Sequence, residues 1–458
     1  KRNKLLGFSH NPLTNLYMLG IILPTLGLAL LPLASTLLGG VLRWPHVFLL
    51  FNIIVPFFVY YMVSEVLLKR PGGYGETQVV ELHPNYGEFK SKAPWIIALV
   101  VALPLFIIGL IPFIFQSDFL TSTLNLQKDY SLDDFGLDLM SGINLFDFKI
   151  VGDKKLGPFG PFGILFSLFI PLSLVVFFSI AYSQKTKNLI KSREDTKQLE
   201  EEFANSLFQL GNRLGDGIPA EIAFGRVAES TKGQKTSDFF YLVNANLQQA
   251  GMSLEPAIFD KKRGAIVYYP SALIATSMKI LVESVQKGLK IAAASLMSIS
   301  EYIKNIDRIN KRLKDLLAEI VSDMRSNMVF LAPLLAGIVV GLASMITFIL
   351  NKLQNLQVEG SADSLAGFGN FGSIVSIFDV TQMIPPYFIQ VSIGIYIIEI
   401  IFILTGALVT VDAGKDSLKE KYELSKNLKR GMILYLLTSL ISILALTILA
   451  SVALGSLG

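Results

Sequence analysis

The sequence contains no cysteine, which excludes disulfides, thiolate zinc sites, iron–sulfur clusters and cysteine nucleophiles. Histidine is nearly absent as well. His10, His46 and His83 are the only three in 458 residues, and none has a His or Glu partner at metal-binding spacing. No G-x-x-x-x-G-K-[ST] loop occurs. The nearest stretch, Gly233-Gln234-Lys235-Thr236, lacks the leading glycine and the Gly-Lys pair that cradle a phosphate, so the chain is not expected to hydrolyse ATP. There is also no G-x-S-x-G elbow, and no long apolar run carries a His or Lys that could activate a hydroxyl. The sequence therefore supplies no catalytic, cofactor-binding or metal-ligating residues, and an enzyme is not expected.

Charge is scarce too, at 17% of residues against the roughly 25% of an ordinary soluble domain. The 40 Lys and Arg nearly balance the 36 Asp and Glu, so net charge gives no reason to expect nucleic acid as a partner. What fills the space is apolar, at 52% of residues and in blocks. Seven stretches are long enough to cross a hydrocarbon layer, which takes about 20 helical residues. They lie near Leu16 to Leu38, Val47 to Leu68, Pro94 to Phe115, Pro161 to Tyr182, Met328 to Leu350, Pro386 to Val411 and Met432 to Leu454. The first is too long, and too soon followed by the second, for a cleaved signal peptide. Pro24, Pro32, Pro56, Pro104, Pro171 and Pro333 inside spans read as kinks in a packed bundle.

With the N-terminus inside, 34 of the 40 Lys and Arg fall on the inner side and six on the outer, which predicts N-inside, C-outside in the cytoplasmic membrane. The outer segment 116–157 holds seven Asp against four Lys. The division expected is a membrane region of four spans over 1–182, a cytoplasmic helical domain over 183–327 and a membrane region of three spans over 328–458. Lys1 stands where a start would have Met, which leaves room for a preceding segment. The fold class is thus all-α, a polytopic membrane protein with about seven spans and one cytoplasmic helical bundle.

Within 183–327, Phe203, Leu207, Leu210 and Leu214 recur at helical spacing up to a Gly-Asp-Gly stop at 215–217, and Pro219 opens the next helix. Further helices are expected over about 236–250, from a cap at Ser253, and over 270–288. From Lys290 to Leu350 no glycine or proline precedes Pro333, so one helix is expected to run from the domain into the fifth span. Its stripe, Leu296, Ile299, Ile303, Ile306, Ile309, Leu313, Leu316, Ile320 and Met324, averages 3.5 residues per step, the spacing of a coiled-coil seam. That stripe packs either on its own domain or on a second copy.

Glu399, within Ile397-Ile398-Glu399-Ile400-Ile401, is an acid inside a span. It is either an ion or proton site or a hydrogen-bonded carboxyl joining helices. The turn Arg70-Pro71-Gly72-Gly73-Tyr74-Gly75-Glu76 reads as a tight turn. Gly217-Ile218-Pro219-Ala220-Glu221-Ile222-Ala223 is echoed 34 residues later by Gly251-Met252-Ser253-Leu254-Glu255-Pro256-Ala257, each a helix stop followed by a start with an acid at the positive helix end.

The run Leu210-Gly211-Asn212-Arg213-Leu214-Gly215-Asp216-Gly217-Ile218-Pro219, the later Gly251-Met252-Ser253-Leu254, and Arg312-Leu313-Lys314-Asp315-Leu316 leading into a span resemble the type II secretion F domain. That family comprises the membrane platforms of type II secretion, type IV pili, tight-adherence pili and the archaellum, and the layout is most similar to its archaeal members. The resemblance covers residues 195–350. Two-domain members carry two such domains, whereas this chain shows one. It implies no catalysis. It implies a platform that anchors a hexameric secretion-type ATPase, couples it to assembly of pilin or archaellin subunits, contacts membrane lipid and forms a homodimer.

For ATPase docking the expected contacts are the charged turn Asp260, Lys261, Lys262 and Arg263, and a loop bearing Lys415, Lys419, Lys421, Lys426, Lys429 and Arg430. Self-association is expected through membrane spans, with the stripe from Leu296 to Met324 as a further candidate seam. The rival reading is a secondary transporter using Glu399; against it, the seven spans show no inverted repeat.

Overall fold

An apolar run that must satisfy its own backbone in hydrocarbon has the helix as its solution, and among the described residues the apolar blocks form helices. The computed structural model describes residues 24, 27, 30–38, 41–68, 91–116, 145–151, 154–269, 271–358, 383–414 and 416–455. Most of the first expected span, the glycine-rich turn at 70–76, most of the acidic segment 116–157, the stretch 359–382 and Lys415 lie outside the described residues.

Before the large polar segment stand α1 (Leu31–Leu37), α2 (Trp44–Leu49), α3 (Val55–Leu68), α4 (Ala93–Gly109) and α5 (Ile111–Gln116). A short antiparallel ribbon follows, β1 (Lys149–Val151) on β2 (Lys154–Leu156), with Lys149 opposite Leu156. Then come α6 (Pro161–Ser167) and the long α7 (Phe169–Gly215). The polar segment continues with α8 (Ala220–Ser230), α9 (Lys235–Gln248), α10 (Leu254–Phe259), α11 (Ala265–Tyr268), α12 (Ala272–Val285) and α13 (Leu289–Ser326). The chain finishes with α14 (Ala332–Val358), α15 (Pro386–Ala413) and α16 (Ser417–Gly455). Five helical stretches are long and apolar enough to cross a membrane, and Ala93–Gly109 is a shorter apolar helix.

Two main cores hold these elements. The larger gathers Val47, Val59, Val175, Met328, Ala336, Ile393, Ile401, Leu428 and Tyr435 from the apolar helices. The second runs from Leu199 to Leu296 and is built from the end of α7, α8 to α12 and the start of α13. At its centre Phe203, Phe224, Phe239 and Phe240 are fully buried, with Phe239 edge-on to Phe240 at 5.4 Å. Rings that bury this much area dominate a core, and truncating one to Ala costs about 3–5 kcal/mol. Caps delimit its helices. The Ser271 hydroxyl accepts the Ile274 N–H at 3.2 Å, and Gly217 and Gly251 end helices with φ of +83° and +62°. Ser253 occupies the N-cap of α10 as expected, but its side chain makes no capping bond.

Two helices join the cores. α7 contributes Val175 to the first core, Leu189 and Ile190 to a small junction with Leu418 and Tyr422, and Phe203 to the second core. α13 contributes Leu296 to the second core and Leu317 and Met324 to the first. Its link to α14 is a π-turn, Asn327–Leu331, so the long helix expected from Lys290 to Leu350 continues but widens once. Pro333 supplies the reason. Its ring displaces the carbonyl four residues back and gives no N–H in return, and an extra residue in the turn absorbs both effects. A second π-turn, Leu50–Ile54, stands in the same relation to Pro56. Other expected kinks are different: Pro32 lies in the first turn of α1, and a break at Leu168 puts Pro171 in the first turn of α7.

Contacts along the apolar helices show that they run back and forth between the same two ends. At the end nearer the second core, Trp95 of α4 meets Tyr182 of α7 edge-on at 5.4 Å, with the Lys185 Nζ over the Trp95 ring at 5.5 Å. At the far end the Tyr387 hydroxyl donates to the Gly109 carbonyl at 2.7 Å, Trp44 stacks on Phe388 at 4.9 Å, and the Ser35 hydroxyl accepts the Ile384 N–H. The ribbon is at that far end too, where Lys149 and Asp147 both bond Asn351 of α14 and Phe159 packs with Met383. Within the bundle α14 and α16 meet over Gly337 and Gly341, where a Cβ would collide with Thr438 and Ser442. The outer face of α16, with Ile433, Leu437, Ile441, Leu444, Ile448 and Val452, is left exposed as a continuous apolar strip, as a lipid-facing helix requires.

Candidate functional site

The charged turn at 260–263 sits in the second core's surface, between α10 and α11. It is a built turn, anchored from both sides. The Asp260 carboxylate accepts the N–H groups of Lys262 and Arg263, both at 2.8 Å, and the Arg263 carbonyl accepts the Asn246 side-chain amide at 2.8 Å. Those two backbone bonds, first Arg263 and then Lys262, hold the Asp260 carboxyl below the usual carboxylate range. The carboxylate is spent on the turn, so Lys261, Lys262 and Arg263 present their charges outward, and all three are exposed. Next to them on α11, Val267 and Tyr268 are also exposed, at 47% and 61%. An arginine near a solvent-facing tyrosine, here Arg263 and Tyr268, is a pairing enriched in protein-binding patches. The sequence argument missed Val267 and Tyr268, although the run Val267-Tyr268-Tyr269 directly after a charged turn carried the signal.

The expected basic loop does not exist. Residues 417–430 form the first turns of α16. Leu424, Leu428 and Met432 recur every four residues and are buried, and the break falls earlier, at Gly414 with φ of +84°. Several of its charges are also committed within the molecule. Lys419 pairs with Asp412, Arg325 with Glu423 at 3.2 Å, and Arg193 with Asp416 at 2.6 Å. Lys426 lies over the Tyr422 ring at 5.9 Å, while Lys429 and Arg430 are exposed. The structure therefore does not gather the two halves of the expected docking surface into one feature. The turn at 260–263 belongs to the second core, and the start of α16 belongs to the first.

The helical stripe is divided in the same way. Leu296 is buried in the second core with Ile299 and Ile303 packed against it, while Met324 is buried in the first core with Leu313 and Ile320 packed against it. Between them Ile306, Ile309 and Leu316 are exposed. With Tyr302 and Leu313 they form a seam of alternating steps of four and three residues, which is heptad spacing.

Glu399 lies on a half-exposed strip of α15 with Oε2 buried and unpartnered among the described residues. Buried polar groups elsewhere in the bundle pair between helices: the Asn52 amide donates to the Ser392 carbonyl at 2.9 Å, and the Gln390 amide to the Tyr435 hydroxyl at 3.1 Å.

A charged junction at the neck was invisible to sequence spacing. A groove of about 440 Å³ opens there, lined by α13 residues from Lys314 to Arg325 and by Asp412 of α15. The apolar stretch of this helix begins at Met328, so Lys314 stands outside it. The Lys197 amine against it, and then partial burial, hold the Lys314 ammonium below the usual lysine range. Among the described residues no group of three or more acids or histidines is arranged to hold a metal.

Comparison with family models, with curated proteins and with solved structures finds no match to this chain. What the structure defines is the class: a multi-pass helical membrane protein with a second, separately cored helical unit carried on two of its helices.

Proposed function

We propose that this protein is a membrane platform of the type II secretion F kind, serving a filament or secretion machine of the pilus or archaellum type. The helical domain stands in the cytoplasm, a hexameric secretion-type ATPase docks on it, and the ATPase's motion passes through α7 and α13 to the bundle, where pilin or archaellin subunits are drawn from the membrane. The observation that carries this reading is the continuity of α7 and α13 from the second core into the apolar helices. A force applied to the domain has no flexible linker in which to dissipate. The full topology is seven spans, N-terminus inside and C-terminus outside, as the 34 to 6 division of positive charge favours. Docking is through Lys261, Lys262 and Arg263 with Val267 and Tyr268, and a second copy associates through the exposed middle of the α13 seam.

The test is co-purification of the cognate ATPase with Lys261→Glu, Lys262→Glu, Arg263→Glu at low and moderate salt. Charge pairs at a docking surface govern encounter and partner choice, so reversal is expected to abolish recovery at moderate salt and weaken it at low salt. Wild-type recovery at both, from a correctly inserted variant, removes this turn from the docking surface.

A further inference from the structure

The depth of the bundle in a bilayer is set by where exposed charge gives way to exposed apolar side chains. On α16 Lys429 and Arg430 are exposed, and the next exposed residues are Ile433 and Leu437. An exposed cation in hydrocarbon costs several kcal/mol, so the hydrocarbon begins at about Gly431 on this helix. On α4 the same change falls at Trp95: Lys92 is exposed before it, and Ile96 and Ile97 are exposed after it.

Both transitions meet α15 at one level. A Cβ on Gly431 would lie 2.8 Å from the Ile401 Cδ1 and 3.5 Å from the Pro333 Cγ. Trp95 meets Phe178 edge-on at 6.2 Å, and Phe178 meets Phe402 edge-on at 5.1 Å. α3 agrees. Its Asn52 bonds the Ser392 carbonyl, and the exposed Tyr60 and Tyr61 stand eight and nine residues further on, as Ile400 and Ile401 do from Ser392. Trp and Tyr favour the membrane interface. α14 supplies the thickness: from Pro333 to the exposed Lys352 its 19 residues rise about 28 Å, which is one hydrocarbon layer.

The membrane part of α15 therefore ends near Ile401, whereas hydropathy carries the span to Val411. Leu404, Leu408, Val409 and Val411 are apolar because protein covers them, and all four are buried. The ion pairs Lys419 with Asp412 and Arg325 with Glu423 lie at this outer end of the first core. Glu399, central in the expected span, is two residues from the boundary, about 3 Å along the axis. It is half-exposed, and Ile403, Gly406 and Thr410, on the same face of α15, continue a half-exposed strip out of the bilayer.

We infer that Glu399 is a carboxylate of the headgroup layer on the side of the helical domain, reached by water along this strip, where it presents negative charge to amines and guanidinium groups. The inference rests on these helices crossing a membrane and not on the ATPase reading. It leaves the bilayer centre without an acid among the described residues, and so without the group on which a transport site would depend.

The test places Ile395→Cys, Glu399→Cys, Ile403→Cys and Thr410→Cys singly in the full chain in membranes. An impermeant thiol reagent is applied from whichever side labels Lys261→Cys. Glu399→Cys, Ile403→Cys and Thr410→Cys are expected to react several-fold faster than Ile395→Cys. Reaction of Thr410→Cys alone overturns the inference, because the span then reaches Val411. Equal rates at Ile395→Cys and Glu399→Cys overturn it too, since no boundary then lies between them. The unaltered carboxyl is probed in parallel on the wild type, with a water-soluble carbodiimide and taurine as the amine, read by mass spectrometry. Taurine is expected on Glu399 when applied from the side of the domain. Its absence there, or modification of Glu399 only by the hydrocarbon-soluble dicyclohexylcarbodiimide, returns this acid to the membrane interior and overturns the inference.

Discussion

Asp260 shows how one side chain sets the exposure of its neighbours. Its carboxylate takes two backbone N–H groups and leaves three cations pointing outward. Because its folded pKa is depressed, the turn's stability is fully present above the ordinary carboxyl range and is lost as pH falls through the lower, folded value. Asp260→Ala removes the acceptor. Trypsin is then expected to cut after Lys261, Lys262 and Arg263 several-fold faster than in the wild type, while Asp260→Asn, which keeps one acceptor oxygen, stays close to the wild type. Equal rates for all three would show that the turn is held from elsewhere. The charged run itself was legible in the sequence, since four charges ending at Gly264 mark a surface turn. Its anchoring was not, because the Asn246 amide that holds the Arg263 carbonyl lies 17 residues away on another helix.

Among elements, the pairing of α14 with α16 has the sharpest steric demand. A Cβ on Gly337 would come within 2.7 Å of the Thr438 Cβ and 2.8 Å of the Ser439 backbone nitrogen, so the helices would have to separate. Gly337→Val is expected to lower stability by about 1–3 kcal/mol, the usual penalty of overpacking. Gly406→Ala is the control, since its Cβ meets only the mobile end of Glu420 at 3.3 Å and gains helix propensity. Thermal unfolding of the purified variants, followed by helical circular dichroism, distinguishes the two; equal melting would put the close approach in doubt. The signal was in the sequence as Gly337 and Gly341 four apart, a spacing that permits close helix contact.

The seam on α13 is the second demand at this scale. Ile306 and Ile309 are exposed and touch neither core's interior, so Lys at both leaves the fold intact and removes the apolar middle of the seam. Crosslinking of the protein in membranes is expected to lose its dimer band; an unchanged band places self-association elsewhere. Average spacing alone could not divide this stripe, because 3.5 residues per step is the same whether a residue faces its own core or nothing. Helices and their stops across 203–288 were readable from apolar period and glycine, within a few residues. The start of α16 was misread as a loop because its charges masked Leu424 and Leu428, which with Met432 carry the helical period. The π-turns were out of reach, since a proline in an apolar run announces a disturbance without saying which carbonyl moves.

The whole molecule is a bundle whose helices alternate between two ends, with the aromatic core of 199–296 at one end and the ribbon of 149–156 at the other. From Leu296 to Leu350 the path along α13 and α14 is on the order of 80 Å at 1.5 Å per residue, enough to cross a bilayer and stand clear of it. Hydropathy and positive charge made this arrangement legible as a class. The neck was not, because its ion pairs join residues as far apart as Arg193 and Asp416. The central claim is that the helical domain and the far-end segments face opposite sides of a membrane. The chain has no cysteine, so single cysteines report without background. In intact cells and inverted vesicles, an impermeant thiol reagent is expected to label Lys261→Cys only from the cytoplasmic side. Ser361→Cys, three residues past the end of α14, should be labelled only from the other side. Labelling of both from the same side would contradict the account.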